Sequence, residues 1–282
     1  MKLEKTGSRK NHVYCSEKVI NLIPYLPFLS MYSTCKYYCY RKRKNMETAK
    51  HGMRNRRNRR NIGTIKLVIF DMDGVLVDTI SSWRYIHNYF GTNNQRSVDL
   101  YLRGEIDDLE FIRRDISLWK QNNEYTTRDK IADILYRLPV MYGSKKCIAT
   151  LRNHNIKTAI VSAGLDILAE KISRTLGIDY FLANGLKTDK DGRITGEGIL
   201  RVRLMHKDEA VKKIMEKYDI PPEYCAAVGN SCFDIPMFET CGLGIAFNPE
   251  DECVKKAADV VVKEKNLAQI LPHIPSLLNK DI

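Results

Sequence analysis

Little in this 282-residue chain suits a membrane or a disulfide framework. The apolar patch Val19 to Tyr32 is shorter than a bilayer span and is broken by Pro24 and Pro27, and no small-residue cleavage site follows it, so neither a membrane segment nor a secretory leader is expected. The 8 cysteines are scattered without one CxxC pair. The single CxxxC, Cys35 and Cys39, has no second pair and no spaced histidines, which leaves a structural zinc site unsupported. Reduced thiols and a cytoplasmic location are the expectation.

Acidic residues are scarce at one end only. Residues 1–60 hold 16 of the 46 Lys and Arg but 3 of the 34 Asp and Glu, so from Asn61 onward 30 basic side chains face 31 acidic ones. The formal charge of +12 therefore belongs to a basic extension, expected to be disordered, and the body is close to neutral. The run "MRNRRNRRN" (Met53 to Asn61) could contact RNA by counterion release, although a solvated tail is the simpler reading. Met46 and Met53 offer alternative starts.

The body has a rhythm. Short apolar runs at 65–70, 157–162, 225–230, 242–247 and 259–262 alternate with amphipathic stretches such as Ser144 to His154, Leu165 to Leu176 and Lys207 to Tyr218. Repeated strand, loop and helix predict an α/β fold, a doubly wound parallel sheet covered on both faces. Residues 79–142 break the pattern with helical periodicity only, which predicts a small helical cap inserted after the first strand of a core formed by 61–78 and 143–282. Asp191-Gly192 between β-like flanks predicts a hairpin over 180–200.

In such a sheet the ligand crevice lies at the carboxyl ends of the strands. Strand one ends in "DMDGV", with Asp71 and Asp73; strand two ends in Ser162-Ala163-Gly164; a later strand ends in "GNSCFD", with Asn230 and Asp234; Lys207 opens the helix before it. Two carboxylates one residue apart after an apolar run are costly unless a cation or reacting group compensates them. Hard oxygen donors suit Mg²⁺, and a serine, a lysine and free helix-start amides beside them suit a phosphoryl group. One aspartate attacking phosphorus and the other trading protons with the leaving oxygen and then with water is the chemistry this set supports.

These four motifs resemble those of the haloacid dehalogenase superfamily of phosphohydrolases, in particular its phosphoserine phosphatase-like branch, over about Ile65 to Ile274. The resemblance implies Asp71 as nucleophile and metal ligand, and Asp73 as general acid/base whose backbone carbonyl also meets Mg²⁺. It implies Ser162 and the Ala163 amide as phosphoryl-oxygen ligands, and Lys207 as the neutralising cation. A small phosphorylated metabolite is the expected substrate.

The chain departs from that branch at four positions. Asn230 stands where the family usually has a metal-ligating Asp, so Asp234 is a candidate direct ligand or outer-shell carboxylate; Phe233 replaces a usual Asn. Ile80 and Asp115 stand where phosphoserine phosphatases carry the Glu and Arg that hold serine, with Arg114 as a shifted substrate-binding candidate. Two other readings remain at this stage: a phosphomutase or phosphotransferase using the same aspartyl-phosphate, and a weakly catalytic binding module with an RNA-contacting tail.

Overall fold

β1 (Leu67–Phe70) is buried along its whole length, with alternate side chains serving two different cores. Val68 and Phe70 pack into one hydrophobic cluster, and Leu67 and Ile69 into the other. A strand sandwiched between two apolar layers has no solvent face, which is why it reads as a continuous run and not as an alternation. The computed structural model describes residues 64–249 and 251–278. The expectations for the basic extension, Cys35 and Cys39 lie outside them.

After β1 the chain runs through four helices, α1 (Ser82–Phe90), α2 (Gln95–Arg103), α3 (Asp108–Ser117) and α4 (Arg128–Leu135), before any further named strand. Then follow α5 (Ser144–Asn153), β2 (Lys157–Leu165), α6 (Asp166–Leu176), β3 (Tyr180–Thr188) and β4 (Ile194–Ile199). The remainder is α7 (Lys207–Tyr218), β5 (Cys225–Gly229), α8 (Ile235–Thr240), β6 (Leu243–Phe247), α9 (Glu252–Ala257), β7 (Val260–Val262) and α10 (Pro275–Leu278). The strands form one sheet in the order β4-β3-β2-β1-β5-β6-β7, parallel except for the antiparallel β3–β4 pair at one edge. The chain thus starts in the middle and winds outward both ways, which puts the switch point at the end of β1.

Helices α5 and α6 cover one face through Cys147, Ile148, Leu151, Ile167, Leu168 and Ile172. Helix α7 covers the other through Ala210, Val211, Ile214 and Met215. Each buried Leu, Ile or Val removes apolar area worth roughly 1.5–3 kcal/mol from water, so the two clusters hold the sheet rigid under the site. The β3–β4 turn falls at the expected dipeptide: Gly192 has φ 76°, and the Asp189 carboxylate accepts hydrogen bonds from the backbone N–H groups of Asp191 and Arg193 at 2.9 Å each.

The four-helix segment joins the core by two strands of chain lying side by side. Asp78 N–H donates to Pro139 O at 2.9 Å, and Met141 N–H donates to Leu76 O at 2.9 Å. Inside the segment, Ile86, Ile112, Ile116, Trp119, Ile131 and Leu135 are buried in the same cluster that underlies the sheet, so it is packed against the core and not merely tethered. No described helix is long and apolar enough to cross a membrane.

One expectation is overturned. Cys232 and Cys253 are joined as a disulfide across 21 positions of sequence, with a Cα–Cα distance of 5.9 Å. The scattered spacing hid the pair because the fold makes it: Cys232 begins the turn after β5, Cys253 sits in α9 after β6, and β5 and β6 are adjacent strands. Cys147, Cys225 and Cys241 are buried free thiols.

Candidate active site

The loops at the carboxyl ends of β1, β2 and β5, with the start of α7, bring the expected residues together. Asp71 follows β1 directly, and its N–H donates to Val228 O of β5 at 2.9 Å, which holds its Cα against the neighbouring strand. Lys207, the first residue of α7 and 2% exposed, places Nζ 2.9 Å from Asp71 Oδ1 and 2.7 Å from Asp234 Oδ1. The second Asp234 oxygen accepts from Asn230 N–H at 2.9 Å, Ser231 N–H at 3.0 Å and Ser231 Oγ at 3.2 Å. Asp234 is therefore saturated by donors. Of its two expected roles the outer one fits this geometry: it buttresses Lys207 and the Asn230 loop.

Glycine is required at two places around this cluster. Gly74 has φ 77°, and a Cβ built on it would collide with the Asn230 amide. Gly229 likewise leaves room for the Asp234 side chain. The first close approach sets the Asn230 amide against the β1 loop; the Asp71 carboxylate, the Asp73 carbonyl and the Asn230 amide supply oxygen donors of the chemical kind a divalent cation takes.

The electrostatics agree. Burial pushes the Asp71 carboxyl up to about 7; Lys207 opposes that shift, and the neighbouring Asp234 adds to it. Asp73 is also raised, by burial first, against hydrogen bonds from Ser82. Burial alone would depress the Lys207 ammonium, but the carboxylates of Asp234 and Asp71 outweigh it and hold it above the usual lysine range. Lys207 pairs with two carboxylates, Asp71 and Asp234, and Asp73 lies in the same cluster, a negative excess that a divalent cation would relieve.

Ser162, 2% exposed, lies near the end of β2, and its Oγ accepts from Gly164 N–H at 3.0 Å while its own proton is available to a phosphoryl oxygen. The Ala163 carbonyl accepts from Trp83 Nε1 at 3.2 Å and from Asn184 Nδ2 at 3.1 Å, which ties the end of β2 to α1 and to β3.

Arg114 is placed differently from the other candidates: its Nε donates to Glu110 of its own helix at 2.8 Å, and Arg113 pairs with Glu197 of β4 at 2.9 Å. Asp115 is buried inside the four-helix segment, where it accepts from Asn94 Nδ2 at 3.0 and 3.1 Å and faces His87 Nε2 at 3.6 Å. Ile80, just before the four-helix segment, is 60% exposed.

Asn184, Ser82 and Trp83 were not among the residues singled out from sequence. Asn184 is 2% exposed; its amide bridges Ala163 O and Val202 O, and its carbonyl accepts from Arg201 and Val202 N–H, tying the Ser162-Ala163-Gly164 segment to the chain that leads into α7. An Asn in the middle of an apolar strand was the signal that could have found it. Ser82 and Trp83 gave no comparable signal, because they open an ordinary amphipathic helix.

A buried strand-end aspartate paired with a lysine, a second carboxylate two residues on and a buried serine at the end of the next strand are the groups a phosphohydrolase with an aspartate nucleophile requires. The chain belongs to the haloacid dehalogenase-like hydrolases, whose family model matches residues 68–239, and it is a phosphatase of that family. Among its relatives is the phosphoserine phosphatase of Methanocaldococcus jannaschii, 32% identical over 215 residues, which span 74% of this chain and 97% of that protein. The phosphoserine phosphatase of Idiomarina loihiensis is 29% identical over 73% of this chain and 91% of its own length. A solved phospho-aspartyl intermediate analogue of phosphoserine phosphatase matches with a TM-score of 0.64 at 30% identity, covering 75% of this chain and 100% of that one.

Proposed function

We propose that this chain is a Mg²⁺-dependent phosphatase for a small phosphomonoester, with Asp71 as nucleophile. The observation that carries the reading is the salt bridge of Lys207 to both Asp71 and Asp234, at 2.9 and 2.7 Å in a buried crevice. Lys207 holds Asp71 Oδ1 and leaves Oδ2 to attack phosphorus. As that O–P bond forms and the ester P–O bond breaks, Asp73 delivers its proton to the departing oxygen. Asp73, now ionised, takes a proton from the water that attacks the aspartyl-phosphate, and the P–O bond to Asp71 breaks to release phosphate and restore both carboxyls.

Ser162 and the Ala163 amide hold the equatorial phosphoryl oxygens, and Lys207 offsets charge on the transferring group. Asp71, the Asp73 carbonyl and Asn230 would hold Mg²⁺, with Asp234 behind them. When bound, the cation keeps Asp71 ionised at neutral pH and shields it from the phosphate dianion. The helices between Ser82 and Leu135 serve as the cap over this crevice.

The leaving group is read by neutral contacts more than by charged ones. Ile80 offers no carboxylate for an amino group, Asp115 is consumed inside the cap, and Arg113 and Arg114 are neutralised by Glu197 and Glu110. A compact phosphomonoester without the zwitterion of serine fits better than phosphoserine. Phosphate release across a panel of phosphorylated metabolites, with and without Mg²⁺, tests the reading: metal-dependent turnover with weaker phosphoserine hydrolysis supports it, and a silent panel or a strict preference for phosphoserine contradicts it.

A further inference from the structure

Asp73 is gripped from the cap, not from the sheet. Ser82 places its backbone N–H and its hydroxyl each 2.7 Å from Asp73 Oδ2. The hydroxyl is not required to cap α1, because Ser81 already does that by accepting from Arg84 N–H. Ser82 is 0% exposed, and a Cβ built on Gly164 would lie 3.0 Å from Ser82 Oγ and 3.2 Å from Ser162 Oγ, so the hydroxyl sits beside the phosphate-binding turn. The other Asp73 oxygen, Oδ1, is buried with no hydrogen-bond partner. Two donors on one oxygen of a carboxyl fix the plane of the group, and they leave the other oxygen as the one that can exchange a proton.

We propose that Ser82 is a positioning residue that orients Asp73 for proton transfer to the leaving oxygen, so that seating the cap and presenting the acid are one contact. The inference rests on the phosphatase reading and deepens it. Oδ2 stays bound to Ser82 throughout, and the proton passes from Oδ1 to the ester oxygen as the P–O bond breaks. A hydroxyl that merely anchored α1 would matter equally for every ester. One that orients the acid matters in proportion to how much the leaving oxygen needs a proton.

The test uses the full chain with Mg²⁺ and two probes: 4-nitrophenyl phosphate, whose phenolate departs without protonation, and glycerol 2-phosphate, whose alkoxide does not. The parameter is kcat/KM, which covers only the steps up to release of the alcohol. Ser82→Ala keeps the backbone donor and loses the hydroxyl, so kcat/KM for the alkyl ester is expected to fall on the order of tenfold, while the aryl ester changes little. Ser82→Cys, similar in size with a weaker donor, is expected to fall between the two.

Equal losses on both probes, or none on either, overturn the inference while leaving the phosphatase reading intact. Failure of the unsubstituted chain to release phosphate from either probe overturns both.

Discussion

Lys207 Nζ lies 2.9 Å from Asp71 Oδ1, both side chains being almost wholly buried. The lysine is held from behind by Asp234, so it is shared between a nucleophile and a buttress. Lys207→Met removes the cation from between two carboxylates and leaves buried like charges facing each other. A loss of about 3–5 kcal/mol in unfolding free energy is expected from breaking such a pair, together with loss of turnover; denaturant melts measured beside Lys207→Arg check it.

Asn230 is the departure that bears most directly on the proposed metal site. Its amide stands against Gly74 and brings one negative charge fewer than a carboxylate. Asn230→Asp is expected to lower the Mg²⁺ concentration that half-saturates turnover several-fold, with little change in the maximal rate. An unchanged Mg²⁺ requirement would remove Asn230 from the ligand set.

The raised carboxyl of Asp71 sets a pH dependence. Its folded-state value is near 7 against an ordinary 3.8, so the stability it contributes is complete below the ordinary value and is lost as pH rises through about 7. Without metal, melting temperatures should therefore fall from pH 5 to pH 8 more steeply in the unsubstituted protein than in Asp71→Asn. Mg²⁺ should raise Tm more at pH 8, where Asp71 is ionised, than at pH 5.5, where protons compete with it.

The Cys232–Cys253 bond closes a loop of 21 residues around the turn that carries Asp234. Closing a loop of that size contributes on the order of 3 kcal/mol. Cys253→Ser, or treatment with excess dithiothreitol, should lower Tm by several degrees, and a melt insensitive to both would contradict the structural role of the bond.

Much of this was legible because most of the candidate site residues sit at strand ends, where a break from apolar to polar text is conspicuous. "IKLVIF" running into Asp71 and Asp73 is such a break, and so is "CAAVGN" running into Asp234. What escaped depends on distance in three dimensions. The Cys232–Cys253 pair needs β5 and β6 to be neighbours, and the grip of Ser82 on Asp73 needs the cap docked on the core. Asp115 shows the same dependence, since sequence marks it only as an acid where the resembled branch carries an Arg, while the structure spends its side chain on Asn94 and His87.

The most direct test of the nucleophile is Asp71→Asn in the full chain, assayed for Mg²⁺-dependent phosphate release on whichever ester the unsubstituted protein hydrolyses fastest. The substitution keeps the side-chain volume and one oxygen, so the fold should survive and circular dichroism should match. Turnover is expected to fall to background, and no phosphoryl group should be trapped on the protein during catalysis. Phosphate release that persists at a tenth or more of the original rate would contradict the assignment of Asp71 as the group that attacks phosphorus.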